Sequence, residues 1–207
     1  QGSVVVELAT TTQGAQIRYT LDGSEPTEES FLYKHPFSLN KTTQVKARGF
    51  KEGYHPSRVL SIIALKAELK DALSVHPVQN GVTYKYFEGN YQKVTDIEKT
   101  PLLRTGVLSK PSIQGASRTD HFGYIFSGLI KVPENGVYTF QTSSDDGSVL
   151  YIDNELVVNN DGSHAAIPAT GFIALEKGFH SYKLYYFEDY EGEHLSWAWK
   201  LPSAETL

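Results

Sequence analysis

Short runs in which apolar and polar positions alternate recur along almost the whole chain, which is the two-residue period of a strand with one buried face. The first group is SVVVEL, QIRYTL, TTQVKARGF and SRVLSIIAL. Ile17, Tyr19 and Leu21 share one face of the second run. In the third, Val45 and Ala47 point inward and Lys46 and Arg48 outward. The clusters TTTQGA, LDGSEPTEES and KEGYHP separate these runs as turns. Residues 1–63 are therefore expected to form a small antiparallel sandwich of the immunoglobulin or fibronectin sort. It is short, and a first strand is expected to have been cut away, because SVVVEL starts so close to Gln1.

Residues 64–76, ALKAELKDALSVH, are the helix-compatible stretch, with Leu65, Leu69, Ala72 and Leu73 at helical spacing. We read 64–77 as a linker with room for one or two helical turns, bounded by Pro77. Beyond it, over 78–203, strands and aromatic residues return. GVTYKYFEG alternates, 90–120 is long, polar and irregular, FGYIFSGLIKV is a strand, PENG a turn and VYTFQTSS its expected hairpin partner. SVLYID, ELVVNN, TGFIALEKG, HSYKLYYFE and HLSWAWKL follow with turns between, and 204–207 is a tail. Leu195, Trp197, Trp199 and Leu201 share one face, a stripe that reads as core before it reads as a binding platform. The fold class is all-β, a small sandwich followed by a larger one.

Composition narrows the function more than the fold. With 207 residues, 40% hydrophobic and 21% charged, the chain is an ordinary globular one of one large or two small domains. No apolar run approaches the roughly 18 residues of a spanning helix, so no membrane insertion is expected. A net charge of −5 argues against nucleic acid, which needs a basic face. Cysteine is absent, which removes disulfides, thiolate metal sites and a cysteine nucleophile. The chain begins with Gln1 and contains no methionine, as expected of a processed or excised piece. The 13 Tyr, 10 Phe and 2 Trp favour strands and also supply flat faces on which sugars stack.

The chemistry concentrates at TSSDDGSVLYIDNELV, where Asp145 and Asp146 stand side by side ahead of Gly147, at the mouth of an expected hairpin between two strand runs. Like charges that close need an offset, and two are open. One is a tight turn whose carboxylates accept local amide hydrogens; the other is a cation. Calcium takes 6–8 oxygen ligands, so two carboxylates, carbonyls and sugar hydroxyls suit its shell. Further ligands are sought in NNDGSH, with Asn159, Asn160 and Asp161, and in FEDYEGEH, with Glu188, Asp189 and Glu191. Tyr124, Tyr185 and Tyr190 are candidate sugar-stacking rings. The acids of LDGSEPTEES (Asp22, Glu25, Glu28 and Glu29) read as a solvated turn rather than an ion site. No H-E-x-x-H, G-x-S-x-G or phosphate-binding loop occurs, and no catalytic residues are assigned.

Two family resemblances attach to these residues. IRYTLDGSEPT, with VKARGFKEGYHPS downstream, resembles the chitobiase/β-hexosaminidase C-terminal domain, a small immunoglobulin-like module that commonly trails bacterial glycosidase domains. FSGLIKVPENGVYTFQTSSDDGSVLYIDNELVVNNDGSH, then IALEKGFHSYKLYYFE and LSWAWKL, resembles the PA-fourteen domain, a β-sandwich module of adhesins, toxins and glycosidases. In sugar-binding adhesins of that family the aspartate pair is joined by a cis peptide and holds calcium, which sugar hydroxyls complete. That implies carbohydrate-binding residues Asp145, Asp146 and Tyr190 and metal ligands Asp145, Asp146, Asp161 and Glu188. The domain order resembles the C-terminal region of secreted bacterial family-20 β-N-acetylhexosaminidases. Family-20 enzymes typically carry an adjacent Asp-Glu pair, and no such dipeptide occurs here. The expected chain is thus a non-catalytic accessory region, secreted, periplasmic or at the cell surface. Its expected partners are a parent catalytic domain and a glycan, N-acetylhexosamine-containing by the same resemblance. The rival expectation is a packing or spacer module with no glycan affinity.

Overall fold

Strands make up nearly all the regular structure, as the alternation requires. The computed structural model describes residues 3–64, 66–75, 77, 80–202 and 204, and it divides into units Gln1–Lys66 and Ala67–Leu207.

The first unit comprises β1 (Val4–Val6), β2 (Gln16–Thr20), β3 (Phe31–Leu32), β4 (Phe37–Leu39), β5 (Thr43–Phe50) and β6 (Leu60–Ala64). β1 pairs with β4, and a second antiparallel sheet runs β3-β2-β5-β6. Val6, Leu39 and Val45 are its buried centre, with Leu8, Leu21, Phe37 and Ala64 packed around them. Val45 and Ala47 face inward, as their alternation predicts.

The second unit comprises β7 (Val82–Glu88), a 3-10 helix (Val94–Lys99), β8 (Leu102–Leu108), β9 (Phe122–Val132), β10 (Gly136–Asp145), β11 (Ser148–Ile152), β12 (Glu155–Asn160), β13 (Ile167–Leu175), β14 (Gly178–Glu188) and β15 (His194–Lys200). A six-stranded sheet runs β12-β11-β14-β9-β7-β8 and a three-stranded sheet β13-β10-β15. Aromatic rings fill the core: Tyr86, Phe122, Tyr124, Phe126, Tyr138 and Phe140 are buried. Trp197 and Trp199 pack against this core, which settles the β15 stripe as structural.

Four expectations need correction. FGYIFSGLIKV and VYTFQTSS are not a hairpin, because β9 pairs with β14 and β7 while β10 pairs with β13 and β15. The PENG turn carries the chain between sheets; there the Tyr138 hydroxyl donates to the Glu134 carbonyl at 2.7 Å. The stretch 90–120 is not irregular throughout: it holds the 3-10 helix, anchored by buried Val94 and Ile97, and edge strand β8. Strand β8 was hidden because most of its residues on both faces are exposed, which leaves no two-residue period to read.

Residues 66–75 contain no helix. Lys70 and Leu73 instead bridge to Leu175 and Phe179, with Lys70 N donating to the Ala174 carbonyl and Leu73 N to the Phe179 carbonyl, both at 2.8 Å. A short isolated helix is costly to nucleate, and the turn after β13 supplies the backbone partners that a helix would have had to make itself. The division after Lys66 also assigns most of the expected linker to the second unit. Leu65 of the helical stripe, positions 78 and 203 that bound the expected second domain, and 205–207 of the tail lie outside the described residues. The fourth correction concerns Asp145 and Asp146, and it builds the site.

Candidate functional site

Asp145 ends β10 and β11 begins at Ser148, yet these strands belong to different sheets. The two aspartates are therefore not the mouth of a hairpin; they form the corner where the chain crosses from one layer of the sandwich to the other. The Asp145-Asp146 peptide is cis. Under the corner lies a hydroxyl network in which Ser148 Oγ meets Ser144 Oγ at 2.8 Å and donates to Thr142 Oγ1 at 3.0 Å, while Asn160 Nδ2 donates to Ser144 Oγ at 3.0 Å. Gly147 is required here, because a side chain would collide with the Phe187 ring and the Gly162 nitrogen.

Two loops close on the pair. From the 161–166 loop, Ser163 Oγ and His164 N donate to Asp146 Oδ1 at 3.0 and 2.8 Å, and Ala166 N donates to Asp145 Oδ2 at 3.0 Å. From the 189–192 loop, Asp189 N and Tyr190 N donate to Asp146 Oδ2 at 2.7 and 3.3 Å. Gly192, at φ 92°, lies against the Asp145 carboxylate where any side chain would clash. Asp146 is buried, and its four donors match the roughly four acceptor positions of a carboxylate.

The third acid is Glu188. Expected in a loop, it is instead the last residue of β14 and fully buried. Carboxylate oxygens of Asp145, Asp146 and Glu188 lie within 4.8 Å of one another. Burial first, then the charges of Asp146 and Asp145, raise the Glu188 carboxyl to about 8. The Tyr186 hydroxyl lies 2.6 Å from the Asp145 carbonyl and 2.7 Å from Glu188 Oε2. It has one proton, so a neutral Glu188 completes the chain by donating to Tyr186, which donates to the carbonyl. Burial, reinforced by Glu188, holds the Tyr186 hydroxyl protonated far above the usual range. Among the described residues, Glu188 Oε1 is buried with no hydrogen-bond partner.

The corner thus brings together three of the four carboxylates nominated as metal ligands. Asp161 is not among them: its Oδ1 accepts from Val94 N at 2.8 Å and Gly162 N at 3.1 Å, tying the 3-10 helix to the loop. Asp189 contributes its backbone amide, while its Oδ2 accepts from Ser163 Oγ at 3.0 Å. Tyr190 is 66% exposed beside the corner, whereas Tyr124 is core and Tyr185 half-buried against Tyr151. In LDGSEPTEES, Asp22 Oδ1 accepts from Ser24 N and Oγ at 3.0 and 2.6 Å, and Glu25 pairs with Lys46 at 2.7 Å, as a turn predicts.

The second unit is thus a layered β-sandwich whose aspartate-pair corner is clasped by two loops. The sequence profile described as the PA14 domain matches residues 78–206, and the chain belongs to that family. The profile described as the chitobiase/beta-hexosaminidase C-terminal domain matches residues 1–61. A curated relative, a beta-hexosaminidase of Porphyromonas gingivalis, is 27% identical over 183 residues, covering 84% of this chain. The chain spans only 23% of that protein. Among solved structures, the PA14 domain of the MpAFP antifreeze protein aligns with TM-score 0.50 at 15% identity, over 65% of this chain and 90% of its own. The A domain of epithelial adhesin 9 from Candida glabrata, solved in complex with Galβ1-3GlcNAc, aligns with TM-score 0.50 at 13% identity, over 68% and 91%. At such identities the two structures show a shared fold.

Proposed function

We propose that the chain is the non-catalytic accessory region of a secreted bacterial glycoside hydrolase of the β-N-acetylhexosaminidase type, periplasmic, extracellular or at the cell surface. Its second unit holds a glycan at the Asp145–Asp146 corner. The observation that carries this reading is the convergence of three carboxylates within 4.8 Å at a corner lined by two loops, with Tyr190 exposed at its edge. The order of the two modules, the similarity to a beta-hexosaminidase and the disaccharide named for the adhesin structure support it.

Calcium is the proposed cation, and the donor set fits it. Oxygens within 4.8 Å of one another suit an ion with contacts of about 2.3–2.6 Å. Asp145 Oδ1 accepts no hydrogen bond among the described residues, and Glu188 Oε1 is orphaned. Asp145 and Glu188 would hold the ion, with Asp146 contributing charge while its oxygens stay on the loops. Bound calcium would supply a Lewis-acidic point for vicinal hydroxyls. The ligand is an N-acetylhexosamine-containing glycan, and binding would raise its concentration near a partner catalytic domain rather than do chemistry.

A second reading has its own observation. Asp146 is saturated by four protein donors, so the pair also serves as a brace between loops, which suits a packing module without glycan affinity. A glycan array of the chain, run in calcium and in chelator, separates the readings. The expected result is N-acetylhexosamine-selective binding that is lost in chelator and in Asp145→Asn. Binding that survives chelator removes the ion from the proposal, and a blank array in both buffers overturns it in favour of packing.

A further inference from the structure

The first unit has chemistry of its own that a spacer does not need. A cleft of about 380 Å³ opens between the 7–15 segment and the end of β5 with the loop that follows it. Leu8, Ile17 and Ala47 provide an apolar floor. Arg48, Lys51, His55 and Arg58 line its rim, and Glu7 is the acidic residue of its lining. Among the described residues, none of these four basic side chains has an ion-pair partner. They concentrate in a unit with eight Lys and Arg against six Asp and Glu, whereas residues 67–207 hold 11 against 18.

The rim is preorganised by the backbone beneath it. Arg48 Nε donates to the Ser57 carbonyl at 2.7 Å, and its guanidinium lies 6.0 Å from the Phe50 ring. Ser57 N donates to the Gly49 carbonyl at 3.0 Å, and Gly49 N donates to Ser57 Oγ at 2.9 Å. Tyr54 N closes a turn onto the Lys51 carbonyl at 3.1 Å, and Lys51 Nζ sits 4.7 Å above the Tyr54 ring. Tyr54 is 66% exposed, so its ring is open to a ligand from solvent.

We propose that this cleft binds an anionic sugar of the uronate type. Its carboxylate meets the Arg48, Lys51 and Arg58 cations, and its ring lies against Tyr54. Three features select this class. Unpaired guanidinium and ammonium groups call for a carboxylate, which arginine receives in a planar fork. An aromatic face beside them offers a surface to the C–H side of a pyranose. The volume sits at the small end of ligand sites, room for a ring or two. An extended acidic peptide is disfavoured, because strand addition needs free main-chain groups and those of Gly49 are already taken by Ser57. The site is independent of the Asp145–Asp146 corner and of calcium.

The test is a 15N amide titration of the whole chain with sodium glucuronate, glucose, sodium acetate and oligoglutamate in turn, all in chelator. Glucuronate is expected to give saturable shifts at Gly49, Lys51, Tyr54 and Ser57. Glucose, which lacks the charge, and acetate, which lacks the ring, should each bind about tenfold more weakly. Arg58→Ser alters an exposed side chain and Lys51→Gln a half-buried one, and each should weaken glucuronate by about tenfold, with the rest of the spectrum unchanged as the check on folding. No saturable shift with glucuronate overturns the proposal. Equal response to acetate reduces it to a small-anion site and overturns the sugar. Tighter binding of oligoglutamate at the same amides overturns it in favour of an acidic peptide.

Discussion

The two units gather charge in opposite ways. At the sandwich corner of the second unit, three carboxylates are packed within 4.8 Å and two of them are buried. In the cleft of the first unit, unpaired cations stand on a rim open to solvent. Buried anions need local compensation, which the corner obtains from backbone amides, the Ser163 hydroxyl and a proton on Glu188. Long basic side chains need none, since their heads reach water while their stems cover apolar surface. The corner is therefore integral to stability, and the cleft rim should be nearly free of it.

Removing the centre of the corner should have the largest effect. Asp146→Ala would leave the amides of His164, Asp189 and Tyr190 without their acceptor. The expected loss is about 3–5 kcal/mol in the second unit, read by denaturant unfolding. A loss under about 1 kcal/mol would mean that the loops are held by something other than this carboxylate.

Glu188 gives a smaller effect with a defined sign. Its folded-state value of about 8 lies above the ordinary 4.5, so the native state holds its proton more tightly. The associated stability is full below about 4.5 and is lost as pH rises through about 8. In chelator, the second unit should lose about 2–4 kcal/mol over that window, a fall of about 5–10 °C in its melting midpoint. Glu188→Gln should flatten the profile. A profile unchanged by that substitution would assign the pH dependence elsewhere.

At the other end of the scale, Arg58→Ser should change the stability of the first unit by no more than about 0.5 kcal/mol by thermal unfolding. A larger cost would show that the rim, like the corner, is part of the fold, and would remove the contrast between the two regions.

Much of this was legible in the chain. Alternation located most of the strands and put Val45, Ala47, Trp197 and Trp199 inward, because one face of each strand must be buried. The Asp145–Asp146 pair drew attention through like charges set side by side, and the loop containing Asp161 and the loop that follows Glu188 are the ones that approach it. The cleft of the first unit was missed. Its cations are spread over Arg48 to Arg58 without spacing that marks a site, although the imbalance of charge between the two halves was countable.

Periodicity reports which side of a strand is buried, a property of each residue and its near neighbours, so the sequence by itself determined the all-β class and the two modules. It could not report which strand lies beside which. β9 and β10 are joined by a short turn yet lie in different sheets, and that placement depends on pairing with β14, β13 and β15 much later in the chain. The same long-range pairing turns Asp145 and Asp146 from a hairpin turn into a corner between layers, buries Glu188 beside them, and sends the Asp161 carboxylate to the 3-10 helix instead. Burial and the approach of distant charges set the protonation of Glu188, and both exist only once the sheets have closed.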